Sequence, residues 1–271
     1  MRKTILLLIL GLAVLLPAGV CQAQLAAPND TGASMGHVHL FVQDVDAATK
    51  FWTAMGGTPI KFGAGVAMKF PGTLILLRKG DTASGTVGSV INHIGFHVPN
   101  TTEALARWKA AGLKTEVGQN PGQGFVFTQD DLTRVEILED KAQTVPVAFH
   151  HIHFFVADSA GASNVLEIQS WYVKMFGAKA GKRAQFDAAD LPGVNLTFTK
   201  SDTPTVGTKG RMLDHIGFEI KDLEGFCKKA EANGVKFDLP FTKRPELGIT
   251  MAYVTDPWGT YIELTEGLNK L

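Results

Sequence analysis

One six-residue pattern occurs four times in this chain of 271 residues, and it constrains the fold more than any other feature. The copies begin at His37, His93, His151 and His215. Each copy alternates with period two, which is typical of a β-strand. Each is followed by an amphipathic helix that ends at glycine, and then by a stretch with room for about three short strands. The sequence therefore predicts an α+β fold of four β-α-β-β-β units.

The four units form two homologous halves. Units one and three share the motif Lys-x-Asp-Thr, and units two and four share Asx-His-Ile-Gly-Phe. We therefore expect a first domain at 36–140, a linker at 141–148 and a second domain at 149–267. Each half is long enough to bury a core of its own.

The N-terminus predicts an export signal. Arg2 and Lys3 precede an apolar run that is too short to span a bilayer comfortably, and small residues follow it. We expect a signal peptide at 1–23, a linker at 24–35 and an exported mature protein. The alternative is a lipid anchor on Cys21, which would attach the protein to a membrane.

The composition favours a small-molecule partner. The 26 Lys and Arg residues balance the 26 Asp and Glu residues, so the formal net charge of zero gives no field to attract nucleic acid or an anionic membrane. Two cysteines exclude a disulfide scaffold and a Cys-rich zinc site. With 45% hydrophobic and 19% charged residues the chain has the composition of an ordinary globular protein. The composition leaves open whether the protein forms a homo-oligomer.

Histidines share one face of the four predicted first strands. Residues one, three and five of a strand point to the same side. They are His37, His39 and Phe41; His93, Gly95 and His97; His151, His153 and Phe155; and His215, Gly217 and Glu219. A single histidine would more often be a hydrogen-bonded structural residue. Four strands with histidine at the same register favour metal ligation instead, because imidazole is the commonest metal ligand.

The last strands of units two and four each add one carboxylate, Glu136 and Glu263. The alternative to a ligand role is that each Glu lies on a solvent-exposed strand face, but apolar neighbours enclose both residues. If the two units of one half form a cup, His37, His93 and Glu136 meet in the first cup. His151, His215 and Glu263 then meet in the second. Two histidines and one carboxylate leave coordination positions open, which suits Fe(II) above all, with Mn(II) or Zn(II) as alternatives.

This pattern resembles the vicinal oxygen chelate superfamily, which includes glyoxalase I, fosfomycin-resistance thiol transferases, bleomycin-binding proteins and extradiol dioxygenases. The resemblance covers nearly the whole mature chain. It implies two open cups of paired units around a divalent metal, with ligands on first and last strands at the six positions named above. The two-half chain is most similar to extradiol dioxygenases, whose working site lies in the second half. Their signature of Tyr, Asp-Pro-x-Gly and ligand Glu matches Tyr253, Asp256 and Glu263.

The chain also departs from these relatives. Extradiol enzymes use additional acid/base histidines, and here only His39, His97, His153 or Tyr253 could take those roles. Glyoxalase I-like enzymes need a second carboxylate on the last strand of the odd units, where 74–77 and 195–198 contain none. The resemblance thus favours a dioxygenase-like enzyme acting on a small oxygenated substrate. A small-molecule binding protein without catalysis, or a glyoxalase-like lyase or isomerase, is the alternative.

We expect the second half to hold the working site. Tyr253 is the predicted catalytic residue, because it follows the extradiol signature. Gly217 is small and would leave room for a ligand near the metal. The other predicted pocket residues are His153, Asn195, Thr197 and Tyr261.

Overall fold

The computed structural model describes residues 25–81, 84–128, 132–157 and 164–271. Within these ranges the chain contains the predicted order of strand, helix and three strands four times. The predicted signal peptide and Cys21 lie outside the described residues. Among the helices of the described ranges, none has the length and apolarity needed to cross a membrane.

The elements of the four units are as follows. The first unit has β1 (Ala33–Val42), α1 (Val45–Met55), β2 (Thr58–Phe62), β3 (Gly65–Phe70) and β4 (Thr73–Lys79). The second has β5 (Ile91–Val98), α2 (Thr101–Ala110), β6 (Lys114–Val117), β7 (Gln123–Phe127) and β8 (Arg134–Glu139). The third has β9 (Ala148–Ala157), α3 (Asn164–Phe176), β10 (Lys179–Arg183), β11 (Phe186–Leu191) and β12 (Val194–Ser201). The fourth has β13 (Leu213–Ile220), α4 (Leu223–Ala232), β14 (Leu239–Arg244), β15 (Ile249–Thr255) and β16 (Tyr261–Glu266), with 3₁₀ turns at Pro245–Leu247 and Leu268–Lys270.

Local sequence signals set the helix ends. The side chains of Asp44, Asn100 and Asp222 each accept a hydrogen bond from the backbone N–H three residues further on, at the start of α1, α2 and α4. These caps satisfy backbone donors that have no partner within the helix. Gly56 ends α1 with φ of 113°, a left-handed conformation that glycine adopts without steric cost.

The described strands form two eight-stranded sheets, and each sheet combines one unit from each sequence half. The first sheet has the order β14-β15-β16-β13-β1-β4-β3-β2, and the second has β10-β11-β12-β9-β5-β8-β7-β6. Antiparallel pairs β1–β13 and β5–β9 join the units at the centre of each sheet. The two predicted cups are therefore present, but the expectation that each cup is built from one half is wrong.

The two units of one half still contact each other, through their apolar sides. Phe70 of the first unit packs against Phe96 of the second with ring centroids 5.0 Å apart. Phe176 and Phe218 do the same for the third and fourth units at 4.6 Å. These contacts belong to one hydrophobic core to which all four units contribute, whereas each polar strand face is shared by two units from different halves. Alternation assigns the polar and apolar face of each strand but not the partner of that strand, so it could not distinguish the two arrangements.

The Asp-Pro-x-Gly motif has a structural role that also crosses between units. Asp256 Oδ1 accepts hydrogen bonds from the backbone N–H of Trp258 and Thr260, at 2.9 and 2.7 Å. The Tyr172 hydroxyl of α3 donates to Asp256 Oδ2 at 3.1 Å. Burial outweighs these hydrogen bonds and raises the pKa of Asp256 to about 6.

Asp256→Asn tests this buried carboxyl. The folded state raises its pKa from 3.8 to about 6, so folding binds a proton and wild-type stability falls as pH rises through that interval. The asparagine keeps the acceptor for the turn and does not titrate. Relative to the variant, wild type should lose about 3 kcal/mol of unfolding free energy between pH 3.5 and pH 7, since each pKa unit corresponds to about 1.4 kcal/mol. Denaturant unfolding across this range measures the difference, and parallel pH profiles would contradict it.

Candidate metal centres

Two clusters of histidine and glutamate lie in the described part of the chain, one on each sheet. The Glu263 cluster consists of His37, His39, His215 and Glu263, and the Glu136 cluster consists of His93, His151, His153 and Glu136. Within each cluster one ligand-type atom per residue lies within 4.8 Å of all the others. These eight side chains are the candidate metal donors.

The clusters contain all six predicted ligands but in a different grouping. His37 lies with His215 and Glu263, and not with Glu136 as predicted. His151 correspondingly lies with Glu136. The pairing of β1 with β13 explains the exchange, because it places His37 opposite Gly217, the neighbour of Glu263 on the next strand. Register shifts on both sides of the His37 and His39 pair resemble the β-bulges that re-aim side chains near functional sites.

The Glu263 cluster converges on one oxygen atom. His37 Nε2 lies 3.0 Å and His215 Nε2 2.9 Å from Glu263 Oε2. Burial would raise the pKa of Glu263, but the two imidazoles hold it well below its usual range, so the carboxylate is ionised. Asp214 Oδ1 lies 2.6 Å from His215 Nδ1 and orients the ring from behind, as carboxylates do for metal-binding histidines.

His39 completes this cluster with two unpartnered nitrogens. Within the described residues, neither His39 Nδ1 nor Nε2 has a hydrogen-bond partner, although both atoms are buried. Leaving a buried polar atom unsatisfied costs about 1–3 kcal/mol. Burial, together with nearby His215, lowers the pKa of His39 well below 6.5 and keeps the imidazole neutral. A neutral, unpartnered imidazole beside an anionic carboxylate fits a divalent cation.

Gly217 provides the space for His37. A Cβ atom at position 217 would overlap the His37 imidazole, and one at Gly95 would overlap that of His151. Each ring lies across the neighbouring strand at a point where only glycine leaves room. The prediction that Gly217 leaves room for a substrate is therefore corrected, because His37 fills that space.

The Glu263 cluster opens into a cavity of about 420 Å³. Tyr253 lines it and meets His215 edge to face at 5.3 Å. Burial, followed by the charge of Glu263, raises the pKa of Tyr253 far above 10, so its hydroxyl keeps its proton. Tyr261 stacks on Tyr253 at 4.8 Å. The structure thus brings both predicted tyrosines to Glu263.

Three predicted pocket residues lie in the other sheet. His153, Asn195 and Thr197 belong to β9 and β12, which are part of the sheet that holds Glu136. Thr197 Oγ1 accepts a hydrogen bond from Arg183 Nε at 2.7 Å and donates to Asn195 Oδ1 at 2.6 Å. Their predicted place beside Glu263 is wrong, since it depended on pairing the third unit with the fourth.

The Glu136 cluster has the same histidine arrangement with different neighbours. His151 Nε2 lies 2.9 Å and His93 Nε2 3.3 Å from Glu136 Oε2. Gln123 donates a hydrogen bond to Glu136 Oε1. Arg183 Nη1 lies 4.0 Å from Glu136 Oε2. A positive charge within the chain therefore faces this carboxylate.

Two residues of the clusters were not predicted from the sequence, His39 as a donor and Arg183 as a neighbour of Glu136. His39 carried a signal, because strand alternation places it on the same face as His37. Arg183 carried none, because it comes from the end of a short exposed strand whose partners depend on the pairing of the units.

Comparison with known proteins agrees with this fold. The model of the Glyoxalase/Bleomycin resistance protein/Dioxygenase superfamily matches residues 34–264, and the chain belongs to this superfamily. No curated protein matches it by sequence.

Two solved structures illustrate the likeness. Glyoxalase I from Zea mays superimposes with a TM-score of 0.68 and 16% identity, over 88% of this chain and 94% of that one. A putative dioxygenase from Bacillus subtilis gives a TM-score of 0.64 and 15% identity, over 90% and 86%. At these identities the likeness establishes the fold and not the reaction.

Gly217→Ala and Gly95→Ala form a matched pair that tests the glycine positions. The added methyl at 217 should displace His37 from Glu263 and cost about 1–3 kcal/mol of stability, as overpacking does. Heteronuclear NMR of the imidazole nitrogens should then show a changed His37 and an unchanged His151. Gly95→Ala should show the reverse. An unshifted His37 in the Gly217 variant would contradict the close approach.

Proposed function

We propose that the protein is a divalent-metal-dependent enzyme that acts on a small oxygenated substrate in the cavity at the Glu263 cluster. One observation carries the proposal. His37 and His215 converge on a single oxygen of buried Glu263, beside the unpartnered His39, where the cluster borders a cavity. Buried groups left unsatisfied in this way are typical of a site that awaits a ligand.

His37, His215 and Glu263 would hold the metal, with His39 as a further donor. Two histidines and one carboxylate suit Fe(II) best, and Mn(II) or Zn(II) are alternatives. When bound, such an ion supplies Lewis-acid polarisation of substrate oxygens and, in the case of iron, reactivity with dioxygen. Dioxygenase-like chemistry is the reaction class we favour.

Residues of the cavity wall would bind and orient the substrate. The Tyr253 hydroxyl keeps its proton and can donate a hydrogen bond to an oxygen that becomes negative during the reaction. Phe62 and Leu76 give the wall an apolar part that excludes water. Arg78 and Arg244 add positive charge, and Arg244 Nε is paired with Glu246 at 2.6 Å. This combination favours a substrate with an apolar body and an anionic or electron-rich group.

The glyoxalase-like alternative receives less support. Leu76 pairs with His39 on the neighbouring strand in the way that Glu263 pairs with Gly217. The position that would supply a second carboxylate is therefore apolar. A proton transfer that uses a metal-bound carboxylate as the base has no candidate residue there.

Export and self-association stay part of the proposal. The residues at 1–23 have the composition of a signal peptide, and N-terminal sequencing of the mature protein checks cleavage after Ala23 against lipidation at Cys21. Size-exclusion chromatography with light scattering measures the oligomeric state.

Glu263→Gln should remove the metal, whereas Glu136→Gln should leave it. The amide eliminates the only anionic donor of the Glu263 cluster. Metal affinity should therefore fall at least about tenfold, because even the loss of a residue that only orients a metal ligand costs about 10–100-fold. His215→Ala should act in the same direction. Elemental analysis of protein isolated without chelator measures the content. A wild-type chain that stays metal-free after incubation with Fe(II), Mn(II), Zn(II) and Ni(II) would contradict the proposed metal site.

Tyr253→Phe should keep the metal and lose about 10²–10³ in kcat, the effect of deleting one donor to a developing negative charge. Tyr261→Phe is the matched control, because its ring stacks on Tyr253. The assay is oxygen consumption with a panel of catechols and related oxygenated compounds. If panel members bind, as thermal shift would detect, but none turns over in metal-loaded wild type, the chain is a binding protein.

A further inference from the structure

The Glu136 cluster repeats the Glu263 cluster strand by strand. On the first strand of the odd unit, His151 and His153 take the places of His37 and His39. In the even unit, His93 and Glu136 take the places of His215 and Glu263. The differences between the two clusters therefore lie in the side chains around the shared donors.

Two donors, Arg183 and Gln123, face Glu136 from strand positions that carry apolar side chains in the Glu263 cluster. Arg183 is the last residue of β10 before its hairpin turn, and Phe62 is the last residue of β2 before the equivalent turn. Gln123 stands two residues before the partner of Glu136, where Met251 stands for Glu263. Phe62 and Met251 line the cavity and offer no hydrogen-bond donor to Glu263. The Arg244 guanidinium beside Met251, with Nη1 3.8 Å from Sδ, is paired with Glu246.

Arg183 is held in place by several contacts. Its Nε donates to Thr197 Oγ1 at 2.7 Å, and Nη2 lies 3.5 Å from His153 Nδ1. Its side chain is only 20% exposed. His153 has partners at both nitrogens, His93 at 3.3 Å and Thr199 at 2.7 Å, whereas His39 has none among the described residues.

We infer that the guanidinium of Arg183 is the resident cation of the Glu136 cluster, so that this cluster takes no divalent ion and the chain binds one ion, at Glu263. A guanidinium keeps its charge at all working pH values and balances the single carboxylate. A divalent ion between the same imidazoles would be repelled by this charge and would compete with Gln123 for Glu136. The count of one ion rests on the proposed metal at the Glu263 cluster, whereas the exclusion of a second ion rests on the surroundings of Glu136, with the charge of Arg183 as its main cause.

The test is the metal stoichiometry of the untagged full chain, measured by elemental analysis and by calorimetric titration with Zn(II) and Mn(II). Wild type should bind one ion, and Arg183→Met should bind two. Adding Glu136→Gln to Arg183→Met should return the count to one. Lys182→Met is the control, because Lys182 is the adjacent cation and pairs with Asp187 instead, at 2.7 Å; its count should equal that of wild type.

Phe62→Arg provides the reciprocal variant, because it places a guanidinium at the equivalent position of the Glu263 cluster. Its count should fall from one ion towards zero, with the fold checked by circular dichroism. Two ions in wild type, or no gain in Arg183→Met, would overturn the inference. No ion in wild type would instead overturn the proposed function. A gain of one ion in Arg183→Met would still support the role of Arg183 in that case.

Discussion

The antiparallel pairing of β1 with β13, and of β5 with β9, is the interaction on which both candidate centres depend. It joins the polar faces of two units from different halves and sets the register that brings His37 to Glu263. Other parts of the chain stabilise this pairing. Aromatic side chains pack the units of one half against each other on the apolar side, and a glycine on each central strand leaves space for the imidazole that crosses it.

Equivalent strand positions carry two centres that differ in their electrostatics. Both have a buried carboxylate between two imidazoles, and both sit at the middle of an eight-stranded sheet. One carboxylate faces a cavity with a tyrosine, and the other faces a guanidinium and an amide. A few substitutions at strand ends are enough for this difference, because the sheet fixes the donors while its hairpin turns supply the neighbours.

Much of the fold followed from the sequence because strand alternation, helix amphipathicity and glycine stops are local signals. They predicted four β-α-β-β-β units, and the superfamily match confirms the class. The partners of each unit did not follow. The same His-x-x-x-x-Val/Ile pattern begins all four units, so the pattern does not specify which units pair. The wrong pairing also misplaced Asn195, Thr197 and His153, which lie on the sheet of Arg183 and not beside Glu263. Tyr253 and Tyr261 lie near Glu263 because they belong to the same unit.

The crossing of the halves also has a consequence for the order of folding. His37 and Glu263 are 226 positions apart in the chain, so the Glu263 cluster is closed by a contact between the first and the last strand of the fold. Closing so large a loop is slow compared with forming a single hairpin or helix. The second and third units, by contrast, are neighbours in sequence, so the sheet that carries Arg183 closes across a shorter stretch of chain. The first unit can pair only after the fourth unit has been synthesised, because β1 pairs with β13. During synthesis the histidine face of β1 therefore has no partner strand until β13 and β16 have been made.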